Sequence, residues 1–293
     1  MGSKLLFYLI IKPISKLPYF LLYGVSDFFF IILYYLIGYR KKVVFKNLEN
    51  SFPNKSETEL KQIAKKFYRH FTDLIFESLK NFSISEKEAM KRMQSINHEI
   101  INKFHQEGRS VILCGGHYGN WELWAMAAAG QLTIPVYGIY KQLSNKFFDK
   151  KMQESRGRYG LHLLATKNVA KKLEEMKDES IASVYGFDQS PGNPKKAFWM
   201  NFLNQDTPCS FGPEKFAVKY NSPVVYVHIE KIKRGYYQVT YETLFDNPSE
   251  IIYGDIITKI NQELEKDIRK NPNIWLWTHK RWKHKRKIVS QKK

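Results

Sequence analysis

The run Gly115-Gly116-His117-Tyr118-Gly119-Asn120-Trp121-Glu122 places a base, an acid and three glycines in one short stretch. Imidazole is the side chain best suited to general-base work near neutral pH, and a neighbouring carboxylate can fix its tautomer and raise its basicity. Glu122 follows His117 by five positions, at the start of a helix, where it can reach back toward the ring. A histidine held this way can take the proton from a hydroxyl nucleophile. Glycines allow a sharp turn and close substrate approach, and free amides at a helix start can stabilise a developing oxyanion. Spacing alone equally allows an inert strand-end histidine bonded to a surface carboxylate. Zinc chemistry has less support: there is no His-Glu-x-x-His, and His98, His162 and His228 lack partners at ligand spacing. Cys114 reads as a small apolar strand residue. No Gly-x-Ser-x-Gly, phosphate-binding loop or dinucleotide glycine motif occurs. Neither a metal nor a cofactor is expected.

Elements that could position this block follow from the patterning around it. Ser110 to Cys114 is a continuous apolar run, as in a buried parallel strand, and it ends in the glycines that lead to His117. Ligands of α/β sheets bind beyond the carboxyl ends of strands, which is where His117 falls. Ser56-x-x-Glu59 is a capping box ahead of a long amphipathic helix to about Asn81, and Ser85 with Glu88 repeats the signal. Helices are expected at 121–129, 145–158, 169–177 and 256–268, and strands at 134–140, 161–165 and 181–187. A hairpin is expected across 223–231 and 236–244 around Lys233-Arg234-Gly235. This alternation predicts an α/β fold with a mostly parallel central sheet flanked by helices.

With 293 residues and 43% hydrophobic content, the chain can bury a large core, which excludes a disordered class. Its net charge of +19 points to an anionic partner. The charge lies beside apolar segments and no nucleic-acid motif appears, so an anionic membrane surface is favoured over nucleic acid. Two cysteines make no disulfide framework. The run from Pro18 to Gly38 is long enough to cross a bilayer, although Asp27 near its middle would cost about 3 kcal/mol at the bilayer centre. A tilted helix, a shallow hairpin or a helix sharing contacts with the rest of the protein would relieve that cost. The basic cluster Arg40, Lys41, Lys42 and Lys46 favours a cytoplasmic flank. Trp275, Trp277 and Trp282 beside the basic carboxyl terminus suggest a role at the interface. The organisation expected is a membrane-associated segment over 1–38 and a single α/β catalytic domain over 39–293.

Five blocks in order carry a resemblance. They are Tyr39-Arg40 with Asn47-Leu48 and Ser51-Phe52-Pro53; the Gly116 to Glu122 block; Lys141 and Asn145 with Arg156 and Gly160; Asp188-Gln189-Ser190-Pro191; and Trp275 to Lys283. The chain resembles the late lipid A acyltransferases, the lauroyl and myristoyl transferase family within the wider His-x-x-x-x-acid acyltransferases. The resemblance implies His117 as general base oriented by Glu122. It implies that Asn120, Lys141, Asn145, Arg156, Asp188 and Gln189 bind substrate. It also implies acyl carrier protein as donor, a membrane lipid acceptor, and a place at the bacterial inner membrane with the catalytic domain on the cytoplasmic face.

Two departures from the family pattern stand out: Phe202-Leu203-Asn204 where many members carry Phe-Phe-Gly, and Glu214. Both fall where acceptor or chain selection could occur. A different glycolipid, an aminolipid or a lysophospholipid is the alternative acceptor. A basic membrane- or nucleic-acid-binding protein is the non-enzymatic alternative, and it leaves the His117 block unexplained.

Overall fold

The computed structural model describes residues 2–286. Lys287, Lys292 and Lys293 of the basic carboxyl terminus lie outside the described residues. Nine strands form among the described residues: β1 Met93–Ser95, β2 Val111–Gly115, β3 Val136–Tyr140, β4 His162–Ala165, β5 Ala182–Gly186, β6 Phe198–Phe202, β7 Gln205–Cys209, β8 Val224–Lys233 and β9 Tyr236–Phe245. Seven of them build one sheet in the order β1-β9-β8-β2-β5-β3-β4. Its pairings are parallel apart from the β8–β9 hairpin, as the alternating pattern predicts. Strand β2 lies mid-sheet, and all five of its residues are buried, which accounts for its unbroken apolar composition.

The expected helices form as Glu57–Lys80, Glu86–Arg92, Trp121–Gln131, Lys146–Arg156, Val169–Glu175 and Asp255–Lys270. The capping box is complete, with Ser56 and Glu59 each taking up the other's backbone amide. Helices Lys41–Ser51, Glu99–Gln106 and Gly212–Tyr220, strand β1 and the separate β6–β7 hairpin were not anticipated. Three-residue β1 is too short for alternation to register. The β6–β7 turn places Leu203 and Asn204 at φ of 49° and 62°, a two-residue turn of the kind that usually signals itself through glycine.

The apolar run forms a helix over Tyr19–Ile37 with a mean hydropathy of 2.0. One edge of it, Leu22, Ser26 and Phe30, is buried, while Phe20, Phe28, Ile31, Tyr35, Leu36 and Ile37 are exposed. Asp27 does not stand alone. Arg234, at the β8–β9 turn, donates to Asp27 at 2.8 and 3.0 Å and to buried Asp73 at 2.6 Å, and Ser26 also donates to Asp73. Of the three ways to relieve Asp27, shared contact with the remainder of the protein is the one the structure displays. The tryptophan expectation needs correction: Trp275 and Trp277 are buried, and Trp282 packs against the core and donates to Thr207. Their indole area closes the core around the strand ends instead of facing an interface.

Replacing Arg234 with methionine leaves the Asp73 carboxylate buried without its guanidinium. Thermal unfolding should then show a loss of about 3 kcal/mol. The loss should be smaller when Asp73→Asn accompanies it. A melting temperature equal to that of the unaltered protein would mean the Arg234 bridge is idle.

Candidate active site

Parallel register brings the reactive groups together. Gly115 of β2 pairs with Gly186 of β5, and two residues beyond each glycine stand His117 and Asp188. Neighbouring strands therefore deliver both side chains to one height above the sheet. Asp188 Oδ1 lies 2.6 Å from His117 Nδ1, and Asp188 Oδ2 accepts the His117 backbone N–H at 2.9 Å. The Trp275 indole N–H donates to the same Oδ2 at 2.7 Å. Gly186 backs the ring: a Cβ there would lie 3.0 Å from His117 Cε1. Gly119 adopts φ of +63° so that the loop passes Ile229, where a Cβ would clash at 2.6 Å.

This arrangement fixes the tautomer. With Nδ1–H donating to Asp188, Nε2 is the basic nitrogen, and the Gln189 side-chain amide sits 3.0 Å from it. Burial pulls the His117 pKa down, but the Asp188 charge and hydrogen bond outweigh it, and the net shift is upward. Burial likewise raises Asp188, and the His117 and Trp275 contacts overcome it and hold the carboxyl at about 2. His279 steadies the loop by accepting the Ser190 backbone N–H on Nε2 at 2.9 Å. Burial keeps its pKa near 4, so it is a neutral acceptor at working pH.

Nε2 faces a cavity of about 510 Å³. Glu122, Lys141, Arg156 and Gln189 line it alongside His117, and Trp124, Gly138, Leu161, Leu163 and Val184 supply apolar wall. Glu122 does not bond to the imidazole. It is locked by Arg156 through two parallel bonds of 2.6 and 2.9 Å, in place of the expected reach back to the ring, and acts on His117 only through its charge. A planar guanidinium on the adjacent helix outcompetes the ring for that carboxylate. Asp188, expected among the substrate-binding residues, is the group on Nδ1.

Asn120 and Asn145 stand at helix starts. Asn120 is fully buried, caps the helix Trp121–Gln131 through Leu123 N–H, and donates to Glu77. Asn145 caps the helix Lys146–Arg156 and donates to Ser3. Neither lines the cavity: both carboxamide oxygens cap helix starts, and the amide nitrogens go to Glu77 and Ser3. The two departures have structural explanations as well. Leu203 is buried in the β6–β7 turn, and Glu214 is buried and accepts the Gly254 and Ile257 amides at the start of the helix Asp255–Lys270. The bond from Trp275 to Asp188 is beyond sequence reasoning, since nothing in the sequence ties two residues 87 positions apart.

Asp188→Asn should reduce turnover by about a thousandfold, because an amide N–H aimed at Nδ1 favours the wrong tautomer. With His117 as the base, which must be neutral to act, the acid limb of the pH–rate profile should follow the His117 pKa, above the ordinary value. Removing the Asp188 charge should move that limb to lower pH. Glu122→Gln should cost about tenfold and move the limb less. The reverse ranking in the two rate profiles would return the orienting role to Glu122.

Comparison with known proteins follows the same lines. The family model described as bacterial lipid A biosynthesis acyltransferase matches residues 3–284. The chain is 26% identical over 277 residues to the lipid A biosynthesis acyltransferase of Haemophilus influenzae, covering 93% of this chain and 87% of that one. It is 23% identical over 245 residues to the lipid A biosynthesis lauroyltransferase of Escherichia coli, covering 83% and 79% respectively. A strand-end histidine poised over a half-apolar cavity suits acyl transfer, and the chain belongs to the bacterial lipid A biosynthesis acyltransferase family.

Proposed function

We propose that this acyltransferase moves a fatty acyl chain from a carrier-protein thioester to a hydroxyl of a lipid A precursor, with His117 as general base. The observation that carries the reading is the position of His117 Nε2, on the ring edge opposite the Asp188-bonded Nδ1, at the junction of charged and apolar cavity wall. The acceptor hydroxyl displaces the Gln189 amide from Nε2 and gives its proton to the ring as its oxygen attacks the thioester carbonyl. Asp188 stabilises the resulting imidazolium. The tetrahedral intermediate collapses with cleavage of the C–S bond, and the leaving thiolate takes the proton back from Nε2. With the Leu123 and Trp124 amides taken up by Asn120, the Trp121 and Glu122 amides at the start of the helix Trp121–Gln131 are the ones suited to the oxyanion. Arg156, held by Glu122, and Lys141 position the polar part of a substrate.

The apolar wall fits an acyl chain, and the exposed face of Tyr19–Ile37 fits a bilayer. Because that helix holds Asp27 to Arg234, it lies against residues 39–293, which we take as one catalytic unit, and turns its free side to lipid. The basic flank beside the apolar helix and the family membership support a position on the cytoplasmic face of the bacterial inner membrane. Lys141, Lys146 and Lys150 are exposed near the cavity and suit an acidic carrier protein.

Purified protein given acyl carrier thioester and a lipid A precursor lacking one chain should yield a lipid one acyl group heavier by mass spectrometry. His117→Ala should lower that rate at least about a hundredfold while the protein stays folded. Free fatty acid as the sole product, from either substrate, would make the enzyme a hydrolase. Acyl-coenzyme A serving equally well at every salt concentration would remove the carrier protein.

Gly138→Val should shorten the preferred chain. A Cβ at Gly138 already comes within 3.3 Å of Leu163, and the added methyls take cavity volume. The ratio of specificity constants for two donors differing by a few methylenes should shift at least about tenfold toward the shorter one. An unchanged ratio would place the chain elsewhere.

A further inference from the structure

A second cavity of about 320 Å³ shares no lining residue with the first. Lys66, Arg69, His70 and Asp73 contribute one stripe of the long helix Glu57–Lys80, since those spacings fall on a single helical face. Lys231 and Arg234 come from β8 and its turn, Asp27 from the apolar helix, and Asn271, Asn273 and Ile274 from the segment before Trp275. Four fixed cations thus face two carboxylates. Arg234 takes up both Asp27 and Asp73. Lys66 and Arg69 have no carboxylate partner among the described residues, and Lys231 is only loosely placed at 3.8 Å from Asp73. The Arg69 guanidinium lies 5.0 Å from the ring centroid of Phe30, on the helix whose other faces are exposed apolar surface. Unpaired cations at the edge of such a surface meet lipid headgroups when the surface meets lipid.

The cavity also touches the catalytic loop. His70 Nε2 lies 3.1 Å from the Gly119 carbonyl and donates to it, and His70 Nδ1 accepts from Lys231 at 3.2 Å. Burial first, and the nearby Lys231 charge second, hold the His70 pKa near 3, so the ring stays neutral and this polarity is fixed.

We propose that this cavity binds the phosphate of a membrane lipid headgroup, with Lys66 and Arg69 taking the anion and Lys231 reaching it from β8. The proposal rests on the membrane reading of the Tyr19–Ile37 helix and on no assumption about acyl transfer. The phosphate belongs either to bulk anionic phospholipid or to a phosphorylated acceptor. Lys231 is the link by which occupancy is felt at Gly119, two residues from His117.

The test compares the full-length protein with Lys66→Ala/Arg69→Ala and with Lys167→Ala/Lys177→Ala, which removes equal charge from exposed positions outside the cavity. Sedimentation with phosphatidylcholine vesicles, with and without phosphatidic acid, gives each protein's preference for the anionic lipid. The cavity variant should lose about ten- to thirtyfold of that preference, and the remote variant far less. Binding to neutral vesicles should stay unchanged in all three, and its absence would defeat the membrane reading alone. A second arm measures the acceptor KM in neutral detergent micelles. A raised KM in the cavity variant assigns the phosphate to the acceptor, and an unchanged KM with lost vesicle preference assigns it to bulk phospholipid. The cavity variant matching the unaltered protein in both arms would overturn the proposal, as would equal losses in the remote variant.

Discussion

The buried Asp188 carboxylate is the constraint on which the active site depends. It is nearly inaccessible, yet it accepts from the His117 ring, the His117 backbone and the Trp275 indole. A buried carboxylate stays ionised only when donors surround it, and here the donors are the elements that must be assembled. It joins the ends of β2 and β5 to the segment that follows the last helix. That segment in turn bonds back to the loop that carries His117, through Gly119 N–H to Ile274 and Leu276 N–H to the His117 carbonyl. His117 is therefore positioned by the fold's own closure.

A second set of buried acids ties the amino-terminal helix to the same frame. Glu77 accepts from Tyr23, Asn120 and Tyr237, joining the apolar helix, the start of the helix behind His117, and β9. Burial, with the nearby Asp73 charge, raises the Glu77 pKa, and its three donors limit the cost. Asn120 thereby reaches the site through the frame: it couples the amino-terminal apolar helix to the wall that carries Trp121 and Glu122.

Much of this was legible in the sequence where local pattern decides the outcome. The capping box at Ser56, the apolar run of β2 and the Lys233-Arg234-Gly235 turn each specify an element through neighbouring residues. His117 was legible for the same reason, as a strand-end residue between glycines. The partner of His117 was not. Glu122 is near in sequence and Asp188 is 71 positions away, and only the sheet order, which places β5 beside β2, reveals which carboxylate arrives. Tryptophans near basic residues suggested an interface, whereas the core takes Trp275 and Trp277 because it must close over the strand ends. Asn120 and Asn145 illustrate a further limit, since a polar residue at a helix start serves the backbone before it serves a ligand.

Nitrogen NMR of the His117 imidazole across pH tests the central claim most directly. The account predicts an Nδ1–H tautomer with unprotonated Nε2 at alkaline pH, and a titration above the ordinary histidine value. Both should be lost in Asp188→Asn and largely kept in Glu122→Gln. An Nε2–H tautomer in the unaltered protein, or a titration that follows Glu122 and ignores Asp188, would contradict it.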